Sequence, residues 1–143
     1  MLAFDNVLPH LLSEAEVELA VANMASRLRP GGLLMASIRD YDRILAEPPP
    51  GEVPRVLGDD ATGRRIVFQL WDWLPDGLTY DLRLFILRHN GGGWETKEHT
   101  TRYRALRRYE LSAALAKAGL TWIRWLMPDE SRYYQPIVTA RKS

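Results

Sequence analysis

The sequence has 143 residues, of which 46% are apolar and 26% are charged, and its formal net charge is +1. This size and composition indicate a compact α/β protein with a self-supporting core, while the near-neutral charge argues against a nucleic-acid partner or an anionic membrane. The absence of cysteine excludes disulfides and thiolate metal sites. No run approaches about 18 apolar residues and no signal peptide is evident, so we expect a cytoplasmic protein that binds a small molecule.

The N-terminal segment predicts the end of a strand followed by a helix. Residues 1–4 are apolar and are closed by two polar residues, Asp5 and Asn6. Further on, the spacing of Ser13 and Glu16 is typical of a capping box, which predicts a helix from about Glu14 to Leu28. Its apolar face is expected to pack on a sheet and recurs at spacings of four and three. That face is formed by Val17, Val21, Met24 and Leu28.

The stretch from Leu28 to Asp42 organises the rest of the chain. A Pro-Gly-Gly turn ends the helix, and the apolar run from Leu33 to Ile38 predicts a buried strand in a parallel pair. Four polar or aromatic residues follow the strand at 39–42. Ligands bind at the carboxyl ends of parallel strands in open α/β sheets, so the sequence predicts a functional site here.

The middle of the chain predicts an irregular segment and then an antiparallel sheet. Prolines, glycines and adjacent aspartates argue against regular structure in residues 47–63, which we interpret as a linker or lid. The apolar period then changes to two, which predicts three antiparallel strands with tight turns between them. The strands are Arg65 to Trp73, Leu78 to Arg88 and Trp94 to Tyr103. One face of this sheet is expected to pack on the domain, and the other to line a cavity or a subunit interface.

The C-terminal segment predicts a short helix and two closing strands. The helix runs from about Arg108 to Ala118 and ends at Gly119, and a polar loop at 127–132 separates the strands. The strands are Leu120 to Leu126 and Pro136 to Ala140. These patterns divide the chain into four segments, which are residues 1–46, 47–63, 64–104 and 105–143.

This order of elements resembles the C-terminal half of a class I S-adenosylmethionine-dependent methyltransferase. Three features carry the resemblance: Phe4-Asp5-Asn6 before a helix, the Leu28 to Leu34 turn into a buried strand, and the closing helix-Ala-Gly-strand-strand order. More narrowly, the segment from Asn6 to Leu11 resembles the Asn-x-x-x-His-Leu segment of glycine and sarcosine N-methyltransferases. Residues 39–42 resemble their Arg-Asn-Tyr-Asp segment and depart from it at Asp40.

The resemblance implies a Rossmann-like methyltransferase sheet with an inserted three-stranded antiparallel sheet, S-adenosylmethionine as cofactor, and N-methylation of an amine or amino acid. The glycine-rich loop and the ribose-binding acid of the family precede the matching segment and have no counterpart in this sequence. We therefore expect a fragment that is inactive alone, with a missing N-terminal half or a possible homo-oligomer to complete it. The alternative is a non-catalytic remnant or interaction module that associates through its exposed sheet.

The resemblance also assigns roles to seven residues. His10 would act as a base and Asn6 would orient the acceptor, Arg39 would bind an acceptor carboxylate with two hydrogen bonds, and Tyr41 would line the pocket. The backbone at Ala3, Phe4 and Asp5 would bind the cofactor. Three of these residues have a structural alternative: His10 as a loop histidine with a structural hydrogen bond, Arg39 as an arginine paired with Asp40 or Asp42, and Tyr41 as a tyrosine that only packs.

Two further groups of residues are open to interpretation from the sequence. Tryptophans on the predicted sheet form either an aromatic wall that favours cationic amines or part of a core. They are Trp71, Trp73 and Trp94. A run of arginines interleaved with Tyr103 is interpreted as water-facing rather than as a nucleic-acid surface. It comprises Arg102, Arg104, Arg107 and Arg108. His99 stands beside Glu98 without a second ligand at metal spacing, so we expect no metal.

Overall fold

A computed structural model describes residues 1–59 and 63–143 of the chain. Two compact units are present in it. We call Met1–Ala46 with Arg104–Ser143 the core unit, and Glu47–Tyr103 the sheet unit. The elements in chain order are β1 (Leu2–Ala3), a 3-10 turn (Leu8–His10), α1 (Glu14–Ser26), β2 (Leu33–Ser37), α2 (Tyr41–Ile44), β3 (Gly51–Leu57), β4 (Arg65–Trp73), β5 (Thr79–His89), β6 (Trp94–Arg104), α3 (Arg108–Lys117), β7 (Leu120–Leu126), α4 (Pro128–Ser131) and β8 (Ile137–Lys142).

The core unit is built on a mixed four-stranded sheet in the order β1-β2-β8-β7. β1 runs parallel to β2, with Leu2 opposite Met35, which confirms the predicted parallel pair. β8 runs antiparallel to both β2 and β7, and Ser37 pairs with Ile137. Because of this antiparallel pairing, β8 begins beside the carboxyl end of β2, at the same edge of the sheet as the carboxyl end of β1.

Helices α1 and α3 contact each other and bury apolar faces. In α1 the buried residues are Val17, Val21 and Ala25. Ala25 was not part of the predicted apolar face, whereas Met24 and Leu28 are only half-buried. Leu28 leaves the helical register because α1 ends at Ser26. The centre of the sheet is fully buried, at Leu34, Ala36, Val138 and Ala140.

The predicted capping box at the start of α1 is confirmed. The Ser13 hydroxyl accepts a hydrogen bond from the Glu16 backbone N–H at 3.3 Å, and the Ser13 N–H donates to the Glu16 carboxylate at 2.9 Å. The Ser13 hydroxyl also donates to that carboxylate, and this bond is the main reason that the pKa of Glu16 lies below its usual value. Two otherwise unpaired amides at the helix start are thereby satisfied.

The sheet unit holds a four-stranded sheet in the order β3-β4-β5-β6, with β4 antiparallel to β3 and β5. All three predicted strands are present as β4, β5 and β6, but the sheet has a fourth strand. The prediction that residues 47–63 are irregular is wrong, since 51–57 form the edge strand β3. Pro54 is tolerated because it lies at a register shift between Glu52 and Arg55 on that edge. A side chain at Gly51 would bring Cβ to 2.0 Å from the Gln69 carbonyl oxygen, so only glycine fits this close pairing. Residues 60–62 of the predicted linker lie outside the described residues.

The structure also contains two short helices that the sequence analysis did not predict. Helix α2 begins after Asp40, whose carboxylate accepts a hydrogen bond from the Arg43 N–H at 3.4 Å. Helix α4 occupies residues 128–131 of the segment that was predicted to be a polar loop. Both helices are a single turn, which is too short to show apolar periodicity in a sequence.

Candidate functional site

The carboxyl ends of β1 and β2 meet at one edge of the core-unit sheet, where Asp5 and Asn6 make a sharp corner. Both residues have left-handed backbone conformations, with φ of 64° and 61°. Aspartate and asparagine adopt this conformation more readily than other residues with side chains. The corner turns the Asn6 side chain into the protein, where the residue is 2% exposed, and leaves Asp5 on the surface.

The Asn6 amide bridges the two strand ends. Its Nδ2 donates to the Tyr41 hydroxyl at 2.9 Å, and its Oδ1 accepts from the Arg39 backbone N–H at 2.9 Å. Tyr41 is fully buried, so this bond lies inside the core unit. The Asn6 bridge therefore fixes the segment after β2 relative to the corner after β1.

A second hydrogen-bonded chain joins the same corner to the segment before β8. The Asp5 backbone N–H donates to the Ser37 hydroxyl at 2.9 Å, and that hydroxyl donates to Gln135 Oε1 at 2.9 Å. Ser37 is fully buried and Gln135 is 6% exposed. Buried polar groups that are all paired in this way hold a unique geometry. Three separate chain segments are thus fixed at one edge.

Two tyrosines complete this edge, and the sequence analysis missed them. The Tyr133 hydroxyl donates to Asp5 Oδ1 at 3.3 Å, and the Tyr134 hydroxyl donates to the same oxygen. The rings of Phe4 and Tyr133 meet edge to face with centroids 5.3 Å apart. Burial, and then the negative charge of Asp5, raise the pKa of Tyr133. The sequence offered one signal for these two residues: Tyr133 and Tyr134 come shortly before the last strand. A last strand that pairs antiparallel to β2 has to start at the edge where β2 ends, which places both tyrosines here.

The two acidic residues after β2 pair with Arg108 at the start of α3. Arg108 Nη1 lies 3.0 Å from Asp40 Oδ1, and its Nε lies 3.1 Å from Asp42 Oδ2. Its backbone N–H also donates to Asp42 Oδ2 at 3.3 Å. These contacts compensate part of the charge of the two carboxylates and anchor α3 to the segment that carries Arg39.

The expectation that the arginines between 102 and 108 face water is wrong for two of them. The side chain of Arg108 is 30% exposed, and that of Arg104 is 13% exposed and pairs with Glu110. Arg102 follows the expectation more closely, because it is 48% exposed and forms two hydrogen bonds with Asp81 at 2.7 and 2.9 Å. Neighbouring carboxylates thus compensate most of this positive charge.

The structure brings together most of the residues that the sequence analysis singled out. Ala3 and Phe4 are half-buried at the end of β1, directly before the corner, and Arg39 is half-buried after β2. His10 is exposed on the 3-10 turn, four residues after Asn6. The ring of Tyr41 is packed, as its structural alternative expected, and its hydroxyl contacts Asn6.

The tryptophans of the sheet unit do not form a single wall. Trp71 and Trp73 pack around the fully buried Tyr80, at ring distances of 5.0 and 4.7 Å. Trp94 is 45% exposed and contacts the ring of His89 at 5.2 Å. The interpretation of all three as one aromatic wall is therefore wrong, because Trp94 packs elsewhere.

The described residues contain neither a metal-binding cluster nor a membrane-spanning helix. No group of three or more histidine, cysteine or acidic side chains in residues 1–59 and 63–143 is arranged to hold a metal ion. Over the same residues, none of the helices has the length and apolar content needed to cross a membrane.

Comparison with solved structures identifies the fold. A sugar N-methyltransferase from Streptoalloteichus matches 99% of this chain with a TM-score of 0.76 at 16% identity, and the match spans 54% of its own length. The SAM-bound amino pentose methyltransferase of Micromonospora echinaspora, involved in calicheamicin biosynthesis, matches 99% with a TM-score of 0.76 at 18% identity, over 58% of its length. A S-adenosylmethionine-dependent methyltransferase from Clostridium acetobutylicum matches 98% with a TM-score of 0.72 at 12% identity, over 55% of its length.

The chain therefore has the α/β fold of these methyltransferases and spans a little over half of their length. No protein-family model matches the sequence, and no curated protein matches it.

Proposed function

We propose that this chain forms the acceptor-side part of an S-adenosylmethionine-dependent methyltransferase that methylates a nitrogen of a small-molecule amine. The observation that carries the proposal is the Asn6 bridge at the carboxyl ends of β1 and β2, within a fold shared with solved methyltransferases. In α/β sheets of this kind the carboxyl ends of the strands are where ligands bind. A rigid corner at that edge suits a reaction in which alignment is the main requirement.

The residues at this edge fit a positively charged cofactor. The corner offers the Asp5 carboxylate and the aromatic ring of Phe4 beside the backbone of Ala3, and none of these groups repels a cation. S-adenosylmethionine, when bound, supplies a methyl group activated by a positively charged sulfur. We assign Ala3, Phe4 and Asp5 to the cofactor side of the site, as the resemblance to the family implies.

The chain's own residues have to place the amine and remove a proton from it. A new carbon–nitrogen bond forms as the methyl–sulfur bond breaks, and the methylated nitrogen then has to lose a proton. The Asn6 bridge positions the strand ends, and His10, exposed on the neighbouring turn, is the residue to which we assign the proton. Histidine suits this role because its imidazole exchanges protons near neutral pH.

The Arg39 side chain indicates which class of acceptor the site favours. A guanidinium presents two parallel N–H groups that match a carboxylate, so Arg39 favours an amino-acid acceptor such as glycine or sarcosine. The names of the solved relatives favour a different amine, an amino sugar. Both acceptors are amines, and an assay that compares methyl transfer to the two decides which of them is the substrate.

The test is a methyl-transfer assay with radiolabelled S-adenosylmethionine against glycine, sarcosine and an amino sugar. It uses the 143-residue chain, and the same chain extended by any in-frame coding sequence found upstream of it. We expect transfer to an amine by the extended protein. The shorter chain should show neither transfer nor micromolar cofactor binding by calorimetry, because it lacks the family's glycine-rich loop. Arg39→Lys should raise the KM for an amino-acid acceptor and leave cofactor affinity unchanged.

Two results would overturn the proposal. One is an extended protein that binds S-adenosylmethionine and methylates only hydroxyl or carboxylate acceptors. The other is an extended protein that binds no cofactor while the chain forms a stable complex through its sheet, which would support the alternative of a non-catalytic interaction module.

A further inference from the structure

Basic side chains meet at one end of the sheet unit, and no role has been assigned to them. Arg65 at the start of β4 lies directly opposite Arg88 of β5. One step beyond this pair, the His89 backbone N–H donates to the Arg64 carbonyl oxygen at 3.1 Å, which places a second pair of basic residues next to the first. Like charges that face each other across two strands destabilise a sheet, so this arrangement costs stability unless a negative charge compensates it.

The same four residues surround a cavity of about 210 Å³. The cavity is lined by Gly63, Arg64, Arg65, Arg88 and His89. All four basic residues are exposed, so the cavity is accessible from solvent. A water molecule takes about 30 Å³ in the liquid, so a cavity of this size holds a small anion together with ordered water.

The two facing arginines lack the carboxylate partners that three other arginines of the sheet unit have. Arg55, Arg83 and Arg102 each form an ion pair with an acidic side chain of the same sheet. Among residues 1–59 and 63–143, no acidic side chain forms an ion pair with Arg65 or Arg88, and none lines the cavity. The positive charge of these two arginines is therefore available to an external anion.

The chemistry of the cavity favours a phosphate group over a carboxylate. A guanidinium is planar and presents parallel N–H groups that match two oxygens of a phosphate. A doubly charged phosphate has enough oxygens and enough charge to engage Arg65 and Arg88 together. A single carboxylate carries one charge and matches one guanidinium, so it leaves the repulsion between the two arginines partly uncompensated.

We infer that this cavity is a binding site for the phosphate group of a small molecule. Arg65 and Arg88 bind the phosphate oxygens, Arg64 adds positive charge, and His89 adds a ring N–H donor. The phosphate group comes either from free inorganic phosphate or from a phosphorylated small molecule, and both present the same oxygens to the site. The inference goes beyond the proposed function and does not depend on it, because every lining residue belongs to the sheet unit.

The experiment is an NMR titration of the 143-residue chain at constant ionic strength and about pH 8, where phosphate groups are mainly doubly charged. Sodium phosphate replaces sodium chloride in one series, glycerol 3-phosphate in a second, and succinate, a dianion without a phosphoryl group, in a third. We expect phosphate to shift the amides of residues 63–65 and 88–89 and to bind about tenfold more tightly than succinate. Equal affinities for phosphate and its ester would support recognition of the phosphoryl group alone, and tighter binding of the ester would support a phosphorylated molecule as the ligand.

Three variants test the individual groups. Arg65→Gln and Arg88→Gln each remove one guanidinium and should weaken phosphate binding about fivefold to tenfold. Arg88→Lys keeps the charge but loses the two-point contact, so it should weaken binding less than Arg88→Gln. The matched control is Arg55→Gln, because Arg55 lies on β3 of the same sheet and is already paired with Glu52, and it should leave phosphate binding unchanged. All of the replaced arginines are exposed, so the variants are compatible with a folded chain, and the dispersion of the NMR spectrum verifies this.

Four results would overturn the inference. Phosphate that gives no saturable shift, or shifts that lie outside the cavity, would show that the cavity is not a phosphate site. Succinate that binds as tightly as phosphate, or an equal loss of affinity in Arg55→Gln, would show that the anion responds to the general surface charge. None of these results affects the proposed methyltransferase activity, which is tested separately by transfer of the labelled methyl group.

Discussion

Replacing Asn6 by alanine tests whether the Asn6 bridge fixes the candidate site. The substitution removes one hydrogen bond to the buried Tyr41 hydroxyl and one to the Arg39 N–H. Each lost bond to a buried partner costs about 1 to 2 kcal/mol, because water cannot replace it. Alanine also has to adopt a φ near 61°, which costs about 1 kcal/mol more than it costs asparagine. We therefore expect the free energy of unfolding to fall by about 3 to 5 kcal/mol.

A second substitution separates the two contributions. Glycine at position 6 loses the same two hydrogen bonds but adopts positive φ without strain. Asn6→Gly should therefore destabilise the chain by about 1 kcal/mol less than Asn6→Ala. The matched control is Asn23→Ala, because Asn23 is exposed on α1 and alanine is the better helix former. The control should change the free energy of unfolding by less than about 0.5 kcal/mol.

The assay is equilibrium unfolding in urea followed by far-ultraviolet circular dichroism. The midpoint should fall for both substitutions at position 6, with the dependence on urea unchanged. An Asn6→Ala variant no less stable than Asn23→Ala would refute the reasoning, and so would an Asn6→Gly variant less stable than Asn6→Ala.

Three other outcomes follow from the geometry. Burial and the charge of Asp5 raise the pKa of Tyr133, so this residue contributes stability that is complete below about pH 10 and is lost as pH rises through the raised pKa. Tyr133→Phe should therefore abolish this loss of stability when urea unfolding is measured at alkaline pH. Arg108→Met leaves the half-buried carboxylates of Asp40 and Asp42 without their ion pair and should lower the free energy of unfolding by about 1 to 2 kcal/mol. The control Arg124→Met breaks an exposed pair with Glu130 and should change the free energy of unfolding by less than about 0.5 kcal/mol. Arg65 lies directly opposite Arg88 on β4 and β5, so Arg88→Glu should raise the melting temperature at low ionic strength, and about 1 M salt should remove the gain.

Short-range patterns predicted most of the regular elements. The capping box of Ser13 and Glu16 places the start of α1, because both of its hydrogen bonds lie within four residues. The apolar run from Leu33 likewise predicts a buried strand, because a strand covered on both faces is apolar throughout, and β2 buries Leu34, Ala36 and Ser37. The edge strand β3 could not be predicted in this way, because in the sequence Pro54 is typical of a linker. The register shift that accommodates this proline is visible only in the structure.

The sequence predicted where the candidate site lies, but not which side chains form hydrogen bonds with each other there. Asn6 and Tyr41 were both singled out, yet their mutual hydrogen bond depends on a left-handed corner that no local pattern specifies. Tyr133 contacts Asp5 across 128 residues of sequence. That contact arises only because β8 pairs antiparallel to β2, and strand order in a mixed sheet is decided by tertiary packing rather than by apolar periodicity.

The central claim is that the corner after β1 and the segment after β2 form a cofactor-proximal methyltransferase site. The most direct measurement is the map of amide chemical-shift changes when the 143-residue chain is titrated with S-adenosylmethionine to millimolar concentration. The account predicts weak binding, with shifts concentrated at residues 3–10 and 37–41. Shifts confined to the sheet unit, or micromolar binding that leaves Asn6 and Arg39 unchanged, would contradict it.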